Sequence, residues 1–186
     1  MQYINVTIEL LKTYSSSKSM KELLALAIWF KMQHSNSVIW NVTEYKLRKG
    51  LRIGKVKAER LIRDMKESSL FSVEGNKVVV SSFRDHTTKW TRKGKEYRGG
   101  MVCKFEVKEY TMKELYNLIN EKLFVYPICA AEHKDCCLKA SDDGKVGARG
   151  KAITLGQFQK AINMCSGSAS NLKKRLIREG KITSTI

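Results

Sequence analysis

The pattern of apolar and polar positions at the start of the chain predicts a series of short elements. Residues 4–10 carry an apolar side chain at every second position, which predicts a strand or an extended arm. The apolar run Leu23–Phe30 predicts a buried scaffold helix, and Ser19 and Glu22 have the spacing of a capping box at its start. A brief strand is expected at Val38–Trp40.

Two helices and a hairpin are expected next. Thr43 is placed to cap a short helix that Gly50 ends, and a further helix is expected over residues 55–66. Residues 70–83 then read as a hairpin with its turn at 74–76. The resulting order is helix, strand, helix, turn, helix, hairpin.

The helix expected over 55–66 has two distinct faces. An apolar stripe at i, i+3, i+4 and i+7 is formed by Ala58, Leu61, Ile62 and Met65. At 100° per residue, the opposite face carries Val56, Arg60 and Arg63, flanked by Lys57 and Glu59. A helix that reads DNA needs this arrangement, with an apolar side holding it to the scaffold and a basic side entering the major groove.

These elements resemble the winged helix-turn-helix DNA-binding family over about residues 17–83. The resemblance implies that the third helix contacts base edges and that the hairpin forms a basic wing. Arg60 and Arg63 are then placed either to bind guanine edges or to contact phosphates, and Val56 is placed to pack on a thymine methyl group.

The second half of the chain repeats parts of the first. Residues 111–116 match residues 19–24, and residues 175–179 match residues 60–64, with about 23 extra residues between the two matches. On the last helix the expected buried stripe is Ala169, Leu172 and Leu176. The outward residues are Asn171, Lys174, Arg175 and Arg178.

We therefore predict an α+β, mostly helical fold of two tandem winged-helix units with small hairpin wings. The expected division is a first domain over 1–83, a basic aromatic linker and strand over 84–110, and a second unit over 111–186. That second unit carries an insertion at about 129–152.

The linker has an unusual composition. Six basic residues surround Trp90 and Tyr97 between residues 84 and 100. Such a stretch suits phosphate contact, minor-groove insertion or single-strand stacking, and it equally suits a flexible solvated linker. Residues 101–108 alternate and predict a strand that pairs either with the wing or with the N-terminal strand.

Charge supports a nucleic-acid partner. The formal net charge is +17, and basic residues exceed acidic ones in each of the three predicted segments. The residues expected to contact DNA are Arg52, Lys55, Val56, Lys57, Arg60, Arg63, Lys77, Lys89, Arg92, Lys93, Asn171, Lys174, Arg175 and Arg178. The expected partner is double-stranded DNA, and a second copy or a replication or transcription protein is a further candidate partner.

The five cysteines form no regular disulfide framework. A zinc site at Cys129, His133, Cys136 and Cys137 matches no common zinc module, so cysteines packed on a helix that begins at Pro127 are favoured. No cofactor is expected. No leader or membrane span is recognised, which predicts a soluble protein of the bacterial cytoplasm or nucleoid.

Catalytic motifs are weak throughout the chain. The three histidines are scattered, and residues 147–152 fail the spacing of a phosphate-binding loop. We expect a non-enzymatic protein, and its tandem arrangement resembles the replication initiators of plasmids and phages. The alternatives are a transcriptional regulator with two DNA-reading units, a nuclease or recombinase, and a structured-RNA binder.

Overall fold

The structure, a computed structural model, describes residues 2–87, 89–92, 95–98, 102–132, 156, 159 and 165–180. The predicted α+β class is confirmed, since the described part is about 55% helical with small antiparallel sheets. The chain divides into two compact units, residues 1–119 and 120–186. The finer division at residues 83 and 110 stays a prediction. None of the helices in the described ranges combines the length and the apolar character that a membrane span requires.

The first unit contains all the strands found in the described residues. Its elements in chain order are β1 (Tyr3–Thr7), α1 (Ile8–Thr13), α2 (Lys18–Gln33), β2 (Val38–Trp40), α3 (Glu44–Leu51), α4 (Lys55–Glu67), β3 (Phe71–Glu74), β4 (Lys77–Val80), β5 (Lys89–Arg92), β6 (Lys95–Arg98) and β7 (Val102–Glu106). Helix α5 (Met112–Glu132) crosses the boundary, and α6 (Ser166–Arg178) lies in the second unit.

The N-terminal strand pairs with a strand almost 100 residues later. Strand β1 is antiparallel to β7, with Ile4 opposite Phe105 and Val6 opposite Cys103. Of the two partners considered for the strand at 101–108, the N-terminal strand is therefore the correct one. The expectation that alternation continues to residue 10 was wrong, because Thr7 caps helix α1 by accepting a hydrogen bond from the Leu10 amide at 3.3 Å.

Helix α2 is the buried scaffold helix that its composition predicts. Residues 23–28 and Phe30 are almost completely buried along it. Its start differs from the predicted capping box, since the helix begins two residues earlier than expected, with Ser17 as N-cap accepting from the Met20 amide. Ser19 lies inside the helix and its hydroxyl donates to Asp64 at 3.1 Å. Glu22 is left facing the interior of the unit.

The predicted order of helices and hairpin between residues 18 and 80 is confirmed. Strand β2 pairs with β4, and β4 pairs with β3, giving a three-stranded antiparallel sheet in the order β2-β4-β3. Helix α3 begins after Thr43, whose hydroxyl accepts from the Lys46 amide as predicted. Helix α4 buries Ala58, Leu61 and Met65, while Ile62 is only half-buried.

Two residues near the end of α3 have different structural roles. Gly50 does not end the helix as expected; it lies within it, where a Cβ atom would come within 2.4 Å of the Trp29 ring. Glycine is therefore required for close packing on α2. The cap is Arg52, with φ 52° and ψ 54°. A non-glycine residue in this left-handed conformation costs about 1–2 kcal/mol.

The segment predicted as a linker contains a two-stranded antiparallel sheet. Strands β5 and β6 pair with Lys89 opposite Arg98 and Trp90 opposite Tyr97. These residues therefore have regular backbone structure, which argues against a flexible linker over β5 and β6. Residues 88, 93–94 and 99–101 lie outside the described residues.

Helix α5 begins with a complete capping box. The Glu114 carboxylate accepts from the Thr111 amide at 2.7 Å, and the Thr111 hydroxyl accepts from the Glu114 amide at 3.2 Å. The Thr111 hydroxyl also donates to the Glu114 carboxylate, at 2.9 Å. The two hydrogen bonds that the carboxylate accepts from the Thr111 amide and hydroxyl, together with the more distant Arg52 charge, lower the pKa of Glu114. The helix continues through Pro127, so the expectation that a helix begins there was wrong. The predicted insertion at 129–152 lies almost entirely outside the described residues.

Candidate nucleic-acid interface

Helix α4 presents an outward stripe of exposed side chains. Val56 is 81% exposed, which is unusual for an aliphatic residue, and the Arg63 side chain is 71% exposed. Glu59 and Lys66 continue the stripe at the spacing of successive helical turns, and both are exposed. Among the described residues, the one ion pair found for Arg63 is a long contact with Asp64, at 3.7 Å, and the Arg63 side chain is open to solvent. The stripe offers an aliphatic, an acidic and two basic groups to a ligand.

Arg60 and Lys57 were expected on or beside this face, and the structure places them differently. Both lie on the flank of α4 and form ion pairs with Glu22 of α2, whose side chain is 2% exposed. Lys57 reaches the Glu22 carboxylate at 2.7 Å, and Arg60 also lies 3.7 Å from Asp64. A buried carboxylate is costly without a cationic partner, so these two cations stabilise the packing of α4 on α2.

Glu59 was expected only beside this face, and Lys66 was not expected on it. Both residues follow from the helical spacing, since Glu59 lies three residues after Val56 and Lys66 lies three residues after Arg63. Glu59 is exposed and lies 3.9 Å from Lys55, an i, i+4 pair that solvent screens strongly. A carboxylate therefore stands in the middle of a face that is otherwise apolar or basic.

Helix α3 adds a second exposed face, which the sequence analysis represented only by Arg52. Tyr45, Arg48, Lys49 and Arg52 follow the spacing i, i+3, i+4 and i+7, which places them on one side of the helix. Together with Ile53 they line a groove of about 300 Å³. We call it the Tyr45 groove.

The hairpin β3–β4 carries less charge than expected. Lys77 is about one-third exposed and lies 3.9 Å from Glu74 near the turn. Gly75 in that turn has φ 56°, a conformation that favours glycine. Across the sheet, Lys77 pairs with Trp40 of β2, whose side chain is 59% exposed. The hairpin thus supplies one cation, with an exposed aromatic ring on the neighbouring strand.

The remaining predicted contacts in the first unit are only partly described. Lys89 and Arg92 lie at the two ends of β5, and Lys93 lies outside the described residues. Of the residues weighed and disfavoured as zinc ligands, Cys129 lies on α5, while His133, Cys136 and Cys137 lie outside the described residues. Within the described part of the chain, no group of three or more His, Cys, Asp or Glu residues could hold a metal ion.

Helix α6 of the second unit also has a buried stripe and a polar face. Ala169, Leu172 and Leu176 are buried as predicted. Asn171, Lys174 and Arg178 are exposed, but Arg175 lies 3.6 Å from Glu121 and 3.7 Å from Glu179 and is about one-third exposed.

The helix begins after Cys165, so the turn expected at residues 166–168 is its first turn. Hydrogen bonds from the Ser168 hydroxyl and amide lower the pKa of the exposed Cys165 thiol.

Helices α4 and α6 have the same length and the same pattern of buried positions. Each has 13 residues, and the fourth, seventh and eleventh are buried in both. When the buried positions are aligned, Arg60 corresponds to Asn171. The sequence match instead paired Arg60 with Arg175, which lies four residues later. The alignment by sequence similarity is therefore shifted by about one helical turn from the alignment by buried positions. Likewise, Thr111 and Glu114 form the capping box that their counterparts Ser19 and Glu22 do not form.

Comparison of the chain with protein-family models, with curated proteins and with solved structures finds no match.

Proposed function

We propose that the first unit contains a winged-helix DNA-binding domain, with α3 and α4 as the helix-turn-helix and β3–β4 as the wing. Support comes from the order α2, β2, α3, α4, β3, β4 and from the three-stranded sheet β2-β4-β3. In this arrangement α4 packs its buried stripe on the scaffold and leaves its outward stripe free to enter the major groove.

The function that this geometry supports best is sequence-specific binding of double-stranded DNA. The observation that carries the proposal is the outward stripe of α4, because an exposed Val56 on the same face as Arg63 suits base edges better than solvent. An arginine can bind the O6 and N7 atoms of guanine, and an aliphatic side chain can pack on a thymine methyl group. The net charge of +17 supplies attraction to the phosphate backbone.

The second unit is proposed as a second winged-helix-like unit with its own DNA contact. The shared length and buried positions of α4 and α6 support this, as do the exposed Asn171, Lys174 and Arg178. Once one unit is bound, the linked second unit binds intramolecularly at a high effective concentration. The affinity of the pair would exceed that of either unit by about 10²- to 10⁴-fold. Such a protein suits the repeated sites of a plasmid, phage or mobile-element origin, or those of an operator.

The protein is proposed to act by binding and not by catalysis. The outward stripe of α4 offers a single carboxylate, Glu59, among cations. Metal-assisted cleavage of DNA requires several carboxylates grouped around the ions. Binding alone is therefore the simpler use of this face.

The test begins with selection of bound sequences from random duplex DNA by the full chain. On the selected site, Arg63→Ala should lose about 1–3 kcal/mol of binding free energy and relax the preference at one or two base pairs. Lys66→Ala is the matched control on the same face, and it should weaken all duplexes alike. Failure to enrich any duplex, with tighter binding to structured RNA, would contradict the proposal.

A further inference from the structure

The Tyr45 groove has a composition different from the α4 stripe. Its lining carries one aromatic ring, three cations and the apolar side chain of Ile53. The Tyr45 side chain is 67% exposed, so a face of its ring is open to a ligand. Among residues 44–53 the only acid is Glu44, which pairs with Arg48 at 3.1 Å. The groove is therefore aromatic and strongly basic.

Arg52 gives a second reason to assign a ligand to this groove. It caps α3 in the left-handed conformation, with φ 52°, where glycine would be less strained. No carboxylate among the described residues lies within ion-pair distance of Arg52 or Lys49, although the Arg52 charge does act on Glu114 at longer range. An arginine in a position that favours glycine indicates that the guanidinium itself is useful there.

We propose that the Tyr45 groove binds an unpaired nucleotide of single-stranded DNA. The base stacks on Tyr45 against Ile53, and Lys49 and Arg52 bind the flanking phosphates. The groove is open to solvent, and its volume of about 300 Å³ lies at the lower end of the range for small-ligand pockets, which suits one nucleotide. Stacking and phosphate contact together are the usual means of binding single strands.

This inference deepens the proposed function and rests on it. Arg52 and Ile53 belong to the groove and lie in the turn between α3 and α4, so the single-strand site adjoins the duplex-reading helix in the same unit. The partner that fits both faces is a duplex with an unpaired strand beside it, as at a melted or frayed site.

The experiment measures binding of the full-length chain to a labelled thymidine single strand of about ten nucleotides, within the site size of single-strand binders. Tyr45→Leu should weaken binding by about 5- to 150-fold, the loss of one stacked base, without changing the salt dependence. Tyr45→Phe, which keeps the ring, should bind as the unaltered protein does. Tyr3→Leu is the control, since Tyr3 is an exposed tyrosine on strand β1.

Charge and stacking are separated with two further measurements. Lys49→Ala with Arg52→Ala should reduce the slope of log affinity against log salt by about 0.7 for each lost phosphate contact. An abasic strand of equal length should bind the unaltered protein no better than the thymidine strand binds Tyr45→Leu. Equal affinity of the unaltered protein for the abasic and thymidine strands would overturn the inference.

The measurements distinguish failure of the groove inference from failure of the proposed function. If Arg63→Ala weakens the selected duplex while Tyr45→Leu leaves the single strand unaffected, the groove inference fails and the proposed function stands. If duplex selection yields no motif while Tyr45→Leu shows its loss, the groove is a single-strand site and the proposed function fails.

Discussion

Helices α4 and α6 share a buried stripe but differ on their outer faces. Position by position, α6 has Gly167 where α4 has Val56, and Ser170 where α4 has Glu59. The outer face of α6 thus lacks both the aliphatic group and the carboxylate of α4. A thymine methyl group has nothing to pack on there, and phosphates meet no repulsion. We infer that α4 is suited to reading sequence, while α6 is suited to adding affinity with less discrimination.

The largest expected effect on DNA affinity tests whether α6 contributes to binding. Reversing the two exposed cations with Lys174→Glu and Arg178→Glu should lower the affinity of the full chain by about 10²-fold or more, because intramolecular docking of the second unit is lost. Selected and unrelated duplexes should lose affinity by the same factor in a competition assay. Unchanged affinity would assign this face to a protein partner or a second copy, and a loss confined to the selected site would make α6 a reader of sequence.

A second expected effect concerns stability and not DNA. Lys57→Ala with Arg60→Ala leaves the buried Glu22 carboxylate without its two cations, which should cost about 3–5 kcal/mol of unfolding free energy. Arg175→Ala is the corresponding change in α6. It should cost only about 0.2–1 kcal/mol, because its ion pairs are longer and its carboxylate partners, Glu121 and Glu179, are more exposed than Glu22.

Urea unfolding measures both changes. If the Lys57 and Arg60 variant remained as stable as the unaltered protein but lost its DNA preference, these cations would be readers of DNA, as the sequence analysis expected.

A third effect separates the two helices by specificity. Glu59→Gln replaces a group that accepts from the cytosine amino group with one that pairs with adenine, so the selected motif should change at one base pair. The discrimination involved is about 1–3 kcal/mol. Ser170→Gln, at the corresponding position of α6, should leave the motif unchanged. Repeating the duplex selection with each variant makes the measurement, and an unaltered motif for Glu59→Gln would remove Glu59 from base contact.

The smallest effect compares Val56 with its counterpart Gly167. A Cβ atom added at Gly167 meets no atom within 4 Å, so Gly167→Ala should stabilise α6 by about 0.5–1 kcal/mol and leave DNA affinity unchanged. Val56→Ala should leave the stability unchanged, because the side chain is 81% exposed, and should lower the affinity for the selected DNA site. Thermal unfolding and titration of both variants test this contrast.

Most elements of the first unit could be predicted because their signals are local. The alternation in β3 and β4, the cap at Thr43 and the stripe of α4 are all read from residues a few positions apart. The capping box at Ser19 and Glu22 failed for the opposite reason. The same letters form a real box at Thr111 and Glu114, but Glu22 is held by two cations of α4, which lies more than 30 residues away.

The candidate site was predicted less well, because long side chains on the flank of a helix can turn either way. Helical periodicity placed Arg60 away from the apolar stripe, yet its guanidinium reaches back to Glu22. The periodicity alone could not reveal this, since it depends on a carboxylate from another helix. Short side chains on the axis of the outward face, such as Val56, were placed correctly.

The pairing of β1 with β7 has a consequence for synthesis of the chain. Val6 leaves the ribosome 97 residues before its partner Cys103, a delay of about 5–20 s at ordinary elongation rates. During that time β1 is an unpaired strand edge that includes Val6, which is fully buried in the finished unit. The first unit can therefore complete its fold only after β7 has emerged. A nascent chain stalled shortly before residue 103 should be the most prone to aggregate or to recruit a chaperone.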